Sequence, residues 1–109
     1  MVNARDIKWS KAEKSVARRA FESAYGRECE AITKRLSGMV RDIADPEDIW
    51  RLHDFLSKIR KEIDQKYDYR YSVLILVFAR LMQEGWLKES DLDGLHEDKA
   101  SQLRALANM

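Results

Sequence analysis

Residues 45–66, "DPEDIWRLHDFLSKIRKEIDQK", decide how the chain is built. Asp45 is a favoured N-cap residue, Pro46 suits the first helical position, and Glu47 and Asp48 face the positive end of a helix dipole. Ile49, Leu52, Leu56, Ile59 and Ile63 then recur at steps of three and four, an apolar seam spanning about 80° of a helix turning ~100° per residue. Trp50, His53, Asp54, Ser57, Arg60 and Lys61 fall on a second arc centred about 120° away. The spacing predicts a helix over 46–66 with a packing seam and, beside it, a polar-aromatic ridge.

Upstream, Ser10 and Glu13 form the S-x-x-E pattern of a capping box. No proline follows until Pro46, and Gly26 and Gly38 each weaken a helix by roughly 1 kcal/mol without ending it. Tyr25, Cys29, Ile32, Leu36, Met39 and Ile43 repeat as heptads, with a stutter at Phe21. A helix over 10–43 would be ~50 Å long at 1.5 Å per residue, longer than a small domain is wide. Its apolar stripe needs a partner, most simply a second copy in a twofold homodimer. Ile32 and Leu36 are expected to join Ile49, Leu52, Leu56 and Ile59 in that seam.

Downstream, "KYDYRY" reads as a short turn capped by Asp68 or as continuous helix. "RYSVLILVFARLMQE", residues 70–84, is apolar almost all round and fits a helix buried in a compact head, ending at a C′ glycine, Gly85. "KESDLDGL" is a capped turn or short helix. "EDKASQLRALAN" is a last amphipathic helix with Leu103 and Leu106 inward. The expected architecture is all-α: a flexible arm over 1–9 pinned by Trp9, a long helical hairpin for dimerisation over 10–66, and a helical head over 67–109.

Composition narrows the function. The 109 residues make one domain. Lys and Arg number 20 against 19 Asp and Glu, a formal net charge of +1, which disfavours a nucleic-acid binder. A single cysteine, Cys29, excludes an intrachain disulfide and a structural zinc site, and fits a small seam residue. The opening residues lack a signal-peptide core, and the longest apolar run, Val73–Ala79, is too short for a membrane span. "DLDG" at 91–94 resembles a calcium loop, but Ala100 stands where an EF-hand needs glutamate. His53 and His96 do not form a metal-binding pair, and His96 is expected at the surface. A cytoplasmic protein without a metal site is expected, with no nucleic acid and no membrane insertion.

The ridge around Trp50 admits two readings. It could be a solvated face with Trp50 covering a dimer edge and Asp54 paired to Lys58. That is the commoner case for a mixed charged face; the other reading is a recognition hot spot, since Trp and Arg are enriched in such spots.

A wider match separates the two. W-x-L-H-D-F-L-x-x-x-R at Trp50, Leu52, His53, Asp54, Phe55, Leu56 and Arg60, followed by E-I-D-x-K-Y-D-x-R from Glu62 to Arg70, resembles the fluorescence recovery protein family of cyanobacteria. "WSKAEKSVARRAFESAYGRE" and "DKASQLRALA" are also similar, so the resemblance spans almost the whole chain. It implies an all-α homodimer without a cofactor that binds the orange carotenoid protein, chiefly through its C-terminal domain. Such a protein speeds return of the light-activated red form to the orange form and its release from the phycobilisome, at the cytoplasmic face of thylakoids. The family's functional patch falls on Trp50, His53, Asp54 and Arg60. Some members carry an aromatic at Leu76 and a lysine at Gln102, where this chain differs.

Two other readings are weaker. "IRKEID" and the long first helix fit a chorismate-mutase-like dimer, but that chemistry needs several cations aimed into a dry pocket. A helical adaptor for a different partner is consistent with the same ridge.

Overall fold

The structure, a computed structural model, describes residues 8–109. Most of the expected arm over 1–9 lies outside the described residues. Trp9, at its end, is buried at 8% exposure, with its ring 5.8 Å from that of Tyr71 and 5.2 Å from the Lys99 ammonium.

All regular structure among the described residues is helical: α1 (Lys11–Arg41), α2 (Pro46–Lys66), α3 (Leu74–Gln83), a 3-10 turn (Glu89–Leu92) and α4 (Glu97–Ala107). α1 starts at the Ser10–Glu13 capping box, with the Glu13 N–H donating to Ser10 Oγ and the Ser10 N–H to Glu13 Oε1, both at 3.1 Å. At α2 Asp45 holds the N-cap position, as expected, without a cap hydrogen bond from its own side chain. Asp48 reaches back instead, accepting from the N–H of Ala44 at 2.9 Å and of Asp45 at 3.2 Å.

α3 begins four residues later than the sequence predicts, at Leu74 rather than Arg70. Packing explains the difference. Tyr67 and Tyr69 both set their rings edge-on to Phe21, at 5.4 and 4.8 Å, and Tyr69 does the same to Tyr71 at 5.5 Å. Residues two apart share a side only in extended backbone; on a helix they would diverge by ~200°. Asp68 does not cap α3; its carboxylate is taken by Arg70 at 2.6 Å. α3 ends as expected at Gly85, whose φ of 85° carries a Schellman turn: the Trp86 N–H donates to Leu81 O at 2.9 Å and the Gly85 N–H to Met82 O at 3.1 Å.

The buried cluster joins Leu74, Ile75, Phe78 and Leu81 of α3 to Leu87, Leu92 and Leu103. α1 contributes Ala17, Ala20 and Ala24, at steps of three and four, whose small side chains let the other elements approach closely. Residues 67–109 therefore close their core against the N-terminal half of α1. α3 is not buried all round, because Leu76 stays 53% exposed.

α2 runs back along α1. Arg35 lies over the Phe55 ring at 4.3 Å near one end, and Lys66 reaches Glu28 at 2.7 Å near the other. The result is elongated, 56 × 26 × 23 Å, with a radius of gyration of 17.0 Å. A compact chain of this length would have about 13 Å.

Candidate functional site

α2 is an amphipathic helix that lies along α1 and meets the end of α3 through Lys66, and most of its other residues face water. Its Trp50 indole is 59% exposed. The side chains of His53, Asp54 and Arg60 are 69%, 83% and 78% exposed, so all four sequence-predicted site residues stand on the surface of one helix. His53 Nδ1 lies 3.4 Å from Asp54 Oδ1, and Asp54 makes no ion pair with Lys58 among the described residues. Arg60 Nε donates to Asp64 Oδ2 at 3.0 Å, one turn further on, and this partner raises the pKa of the guanidinium. Arg51 is held by Asp48 at 2.8 Å. The ridge thus offers an apolar plate, the indole, flanked by groups of both signs.

The apolar seam beside it is only partly covered. Ile49 is 48% and Leu56 39% exposed, while Leu52, Ile59, Ile32 and Leu36 are half-buried. Between α1 and α2 runs a groove of about 430 Å³ walled by Phe21, Tyr25, Cys29 and Ile32 on one side and Leu56, Ile59 and Ile63 on the other. Arg60 and Asp64 form part of its lining. The helical wheel places Arg60 on the ridge alone, whereas the structure places it where ridge and groove meet. The i,i+4 spacing of Arg60 and Asp64 was the available signal. Cys29 lines the groove, and its thiol raises the pKa of the Tyr25 hydroxyl above the usual range.

At the far end of the groove is a polar cluster that sequence reasoning missed. Lys66 Nζ sits 2.7 Å from Glu28 and 2.6 Å from Glu84, with its side chain 5% exposed. The Tyr67 hydroxyl donates to Glu28 Oε1 at 2.9 Å, and burial, then Glu28, raise its pKa. These partners come from α1, α2 and the end of α3, separations no local pattern reports.

The exposed ridge offers surface chemistry: an indole to bury, a carboxylate and a guanidinium to pair, an imidazole to donate or accept. Among the described residues no group of three or more His, Cys, Asp or Glu is placed to hold a metal ion, and no helix is long and apolar enough to cross a membrane.

Comparison with known proteins fits this architecture. The family described as photoprotection regulator fluorescence recovery protein matches residues 9–107. The chain is 41% identical over 109 residues to the fluorescence recovery protein of Synechocystis sp. PCC 6803, covering the whole of both chains. Its fold is similar to the solved structure of the Fremyella diplosiphon fluorescence recovery protein, with a TM-score of 0.87 and 48% identity over 94% of this chain and 100% of that one. The solved Synechocystis structure gives the same TM-score at 43% identity, with the same coverage of 94% and 100%. An all-helical chain of this length and shape, matched over nearly every residue, belongs to the fluorescence recovery protein family of photoprotection regulators.

Proposed function

We propose that this chain is a non-enzymatic regulator that binds the light-activated red form of the orange carotenoid protein, chiefly on its C-terminal domain. It speeds return to the orange form and release from the phycobilisome, and so ends photoprotective quenching. The observation that carries the reading is a tryptophan 59% exposed among His53, Asp54 and Arg60 in a member of a photoprotection regulator family. A binding partner accelerates a conformational change only by holding the barrier state more tightly than the starting state. A hundredfold acceleration needs about 2.7 kcal/mol of such preference. Burial of one indole together with one desolvated charge pair is of that size.

The active form is a homodimer closed through Ile32, Leu36, Ile49, Leu52, Leu56 and Ile59. Its support is the half-exposed seam and a shape too elongated for one chain to cover. In this arrangement residues 10–66 serve as the dimerising helical hairpin and 67–109 as the head. The site of action is the cytoplasmic face of the thylakoid, reached through the phycobilisome-bound partner.

The test is kinetic. Orange carotenoid protein is photoconverted, and its dark recovery is followed with and without this chain, then with Trp50→Ala and Arg60→Leu. Acceleration abolished by either substitution supports both function and patch. Acceleration that neither affects moves the site to the head. No acceleration of a carotenoid protein from the same organism overturns the reading and leaves an adaptor for another partner.

A further inference from the structure

The first two and a half turns of α1 carry an unusual arrangement of charge. Lys11, Lys14, Arg18 and Arg19 surround a recess of about 530 Å³ with Ser15, Tyr69 and Tyr71, and among the described residues no carboxylate lines it. Six of the eight other described arginines are neutralised, Arg27 by Asp91, Arg51 by Asp48, Arg60 by Asp64, Arg70 by Asp68, Arg80 by Glu84 and Arg104 by Glu89, while Arg35 lies over Phe55 and Arg41 closes α1. None of the four cations of this recess is in an ion pair among the described residues.

Their placement works against local stability. Lys11 and Lys14 occupy the first turn of α1, at the positive end of the helix dipole, where acids are favoured. The capping glutamate, Glu13, is buried and committed to Lys99 at 3.1 Å. Local rules broken without a compensating ion pair mark surfaces held for another purpose. The cations are also pre-ordered. The Arg18 guanidinium lies 3.9 Å from the Tyr69 ring centroid, and the Lys14 ammonium 5.1 Å from that of Tyr71. A guanidinium stacked by its face keeps its N–H edges free for a bidentate carboxylate.

We propose that this recess is a docking surface for an acidic segment of a partner protein, with Lys11, Lys14 and Arg18 meeting Asp or Glu side chains spaced along about 12 Å, the rise from Lys11 to Arg19. A single-stranded nucleic acid would need free aromatic faces for its bases. Here Arg18 and Lys14 lie over those rings, and Tyr69 is further enclosed by Phe21 at 4.8 Å. A membrane surface would want apolar side chains to insert, and among the described residues the recess presents cations, a serine and tyrosines. The surface is at the opposite end of α1 from the α1–α2 connection beside Trp50, so it acts independently of that ridge.

The test uses the full chain and a fluorescein-labelled helical peptide with four glutamates at steps of three and four, read by anisotropy. Binding should weaken by at least ~tenfold in Lys14→Glu/Arg18→Glu, and by less in the same direction in Lys14→Gln/Arg18→Gln. Lys34→Glu/Lys58→Glu, an equal charge reversal at exposed positions away from the recess, should leave it unchanged. Circular dichroism checks that the exposed substitutions keep the helix content. Absence of peptide binding, or equal binding by the double variant, overturns the proposal. So does equal or tighter binding of phosphatidylserine vesicles or of a 12-nucleotide oligothymidine.

Discussion

The Lys66 ammonium lies 2.7 Å from the Glu28 carboxylate, and the two side chains are 5% and 12% exposed. With Glu84 at 2.6 Å, this one cation ties α1, the end of α2 and the end of α3 together. Burying such a group is repaid only while its partners are present. Lys66→Met leaves two carboxylates facing each other with little water, and should cost about 3 kcal/mol in urea unfolding. Lys66→Met combined with Glu28→Gln should recover part of that loss, because one stranded charge disappears with its partner. A single variant as stable as the parent would mean that the cluster contributes nothing net.

Glu13 makes a longer link. Its carboxylate accepts from the N–H of Ser10 and of His96 and from Lys99 Nζ, at 3.1, 3.2 and 3.1 Å. Burial opposes its charge, but the backbone donors and Lys99 outweigh that and hold its pKa at about 2. A carboxyl held below its unfolded value near 4.5 contributes stability above that value and loses it as pH falls towards about 2. Glu13→Gln should therefore be less stable than the parent by about 3 kcal/mol at neutral pH. The gap should close between pH 4.5 and 2 in unfolding curves taken along that range; a constant gap would show that Glu13 does not titrate there.

Local signals in the chain were legible where neighbours in sequence decide the outcome. Ser10 with Glu13 and Asp45 with Pro46 mark the starts of α1 and α2 to within a residue, because caps are local chemistry. The wheel separated Trp50, His53 and Asp54 from the seam for the same reason. The start of α3 was not legible. Leu74 is preceded by residues whose propensity permits helix, and the outcome rests on Phe21, some fifty residues away, drawing Tyr67 and Tyr69 to one side. The core face of α1 was also hidden, since Ala17, Ala20 and Ala24 carry little hydrophobic signal. Lys66 between Glu28 and Glu84 could not be read from spacing, because nothing local distinguishes a lysine that will be buried from one that will not.

Two glycines separate strain from space. Both Gly85 and Gly94 have positive φ, 85° and 103°, but a Cβ on Gly85 would meet nothing within 4 Å. A Cβ on Gly94 would come to 2.8 Å of Val16 Cγ2, inside the core contact of α1. Gly85→Ala should cost about 1 kcal/mol, the backbone strain alone. Gly94→Ala should cost about 2 kcal/mol more, from forced overpacking. Adding Val16→Ala should shrink the difference attributable to the clash. Equal melting temperatures for the two single variants would remove the Val16 contact from the explanation.

The seam gives the last prediction. Ile49 is 48% exposed and Leu56 39% exposed in the single chain, and Trp50 follows Ile49 directly. In a twofold interface one substitution acts on both subunits, and a carboxylate there loses water without gaining a partner. Ile49→Glu or Leu56→Glu should therefore convert the proposed dimer to monomer in sedimentation velocity with helix content retained, since neither residue belongs to the buried cluster. Because seam and ridge are adjacent on α2, Ile49→Glu should also reduce the proposed acceleration of carotenoid-protein recovery, even with Trp50 intact. A monomer that still accelerates fully would separate the two surfaces, making the ridge sufficient in one chain. A variant that stays dimeric would place the interface away from α2, on the exposed stretch of α1 around Val40 and Ile43, which are 56% and 38% exposed.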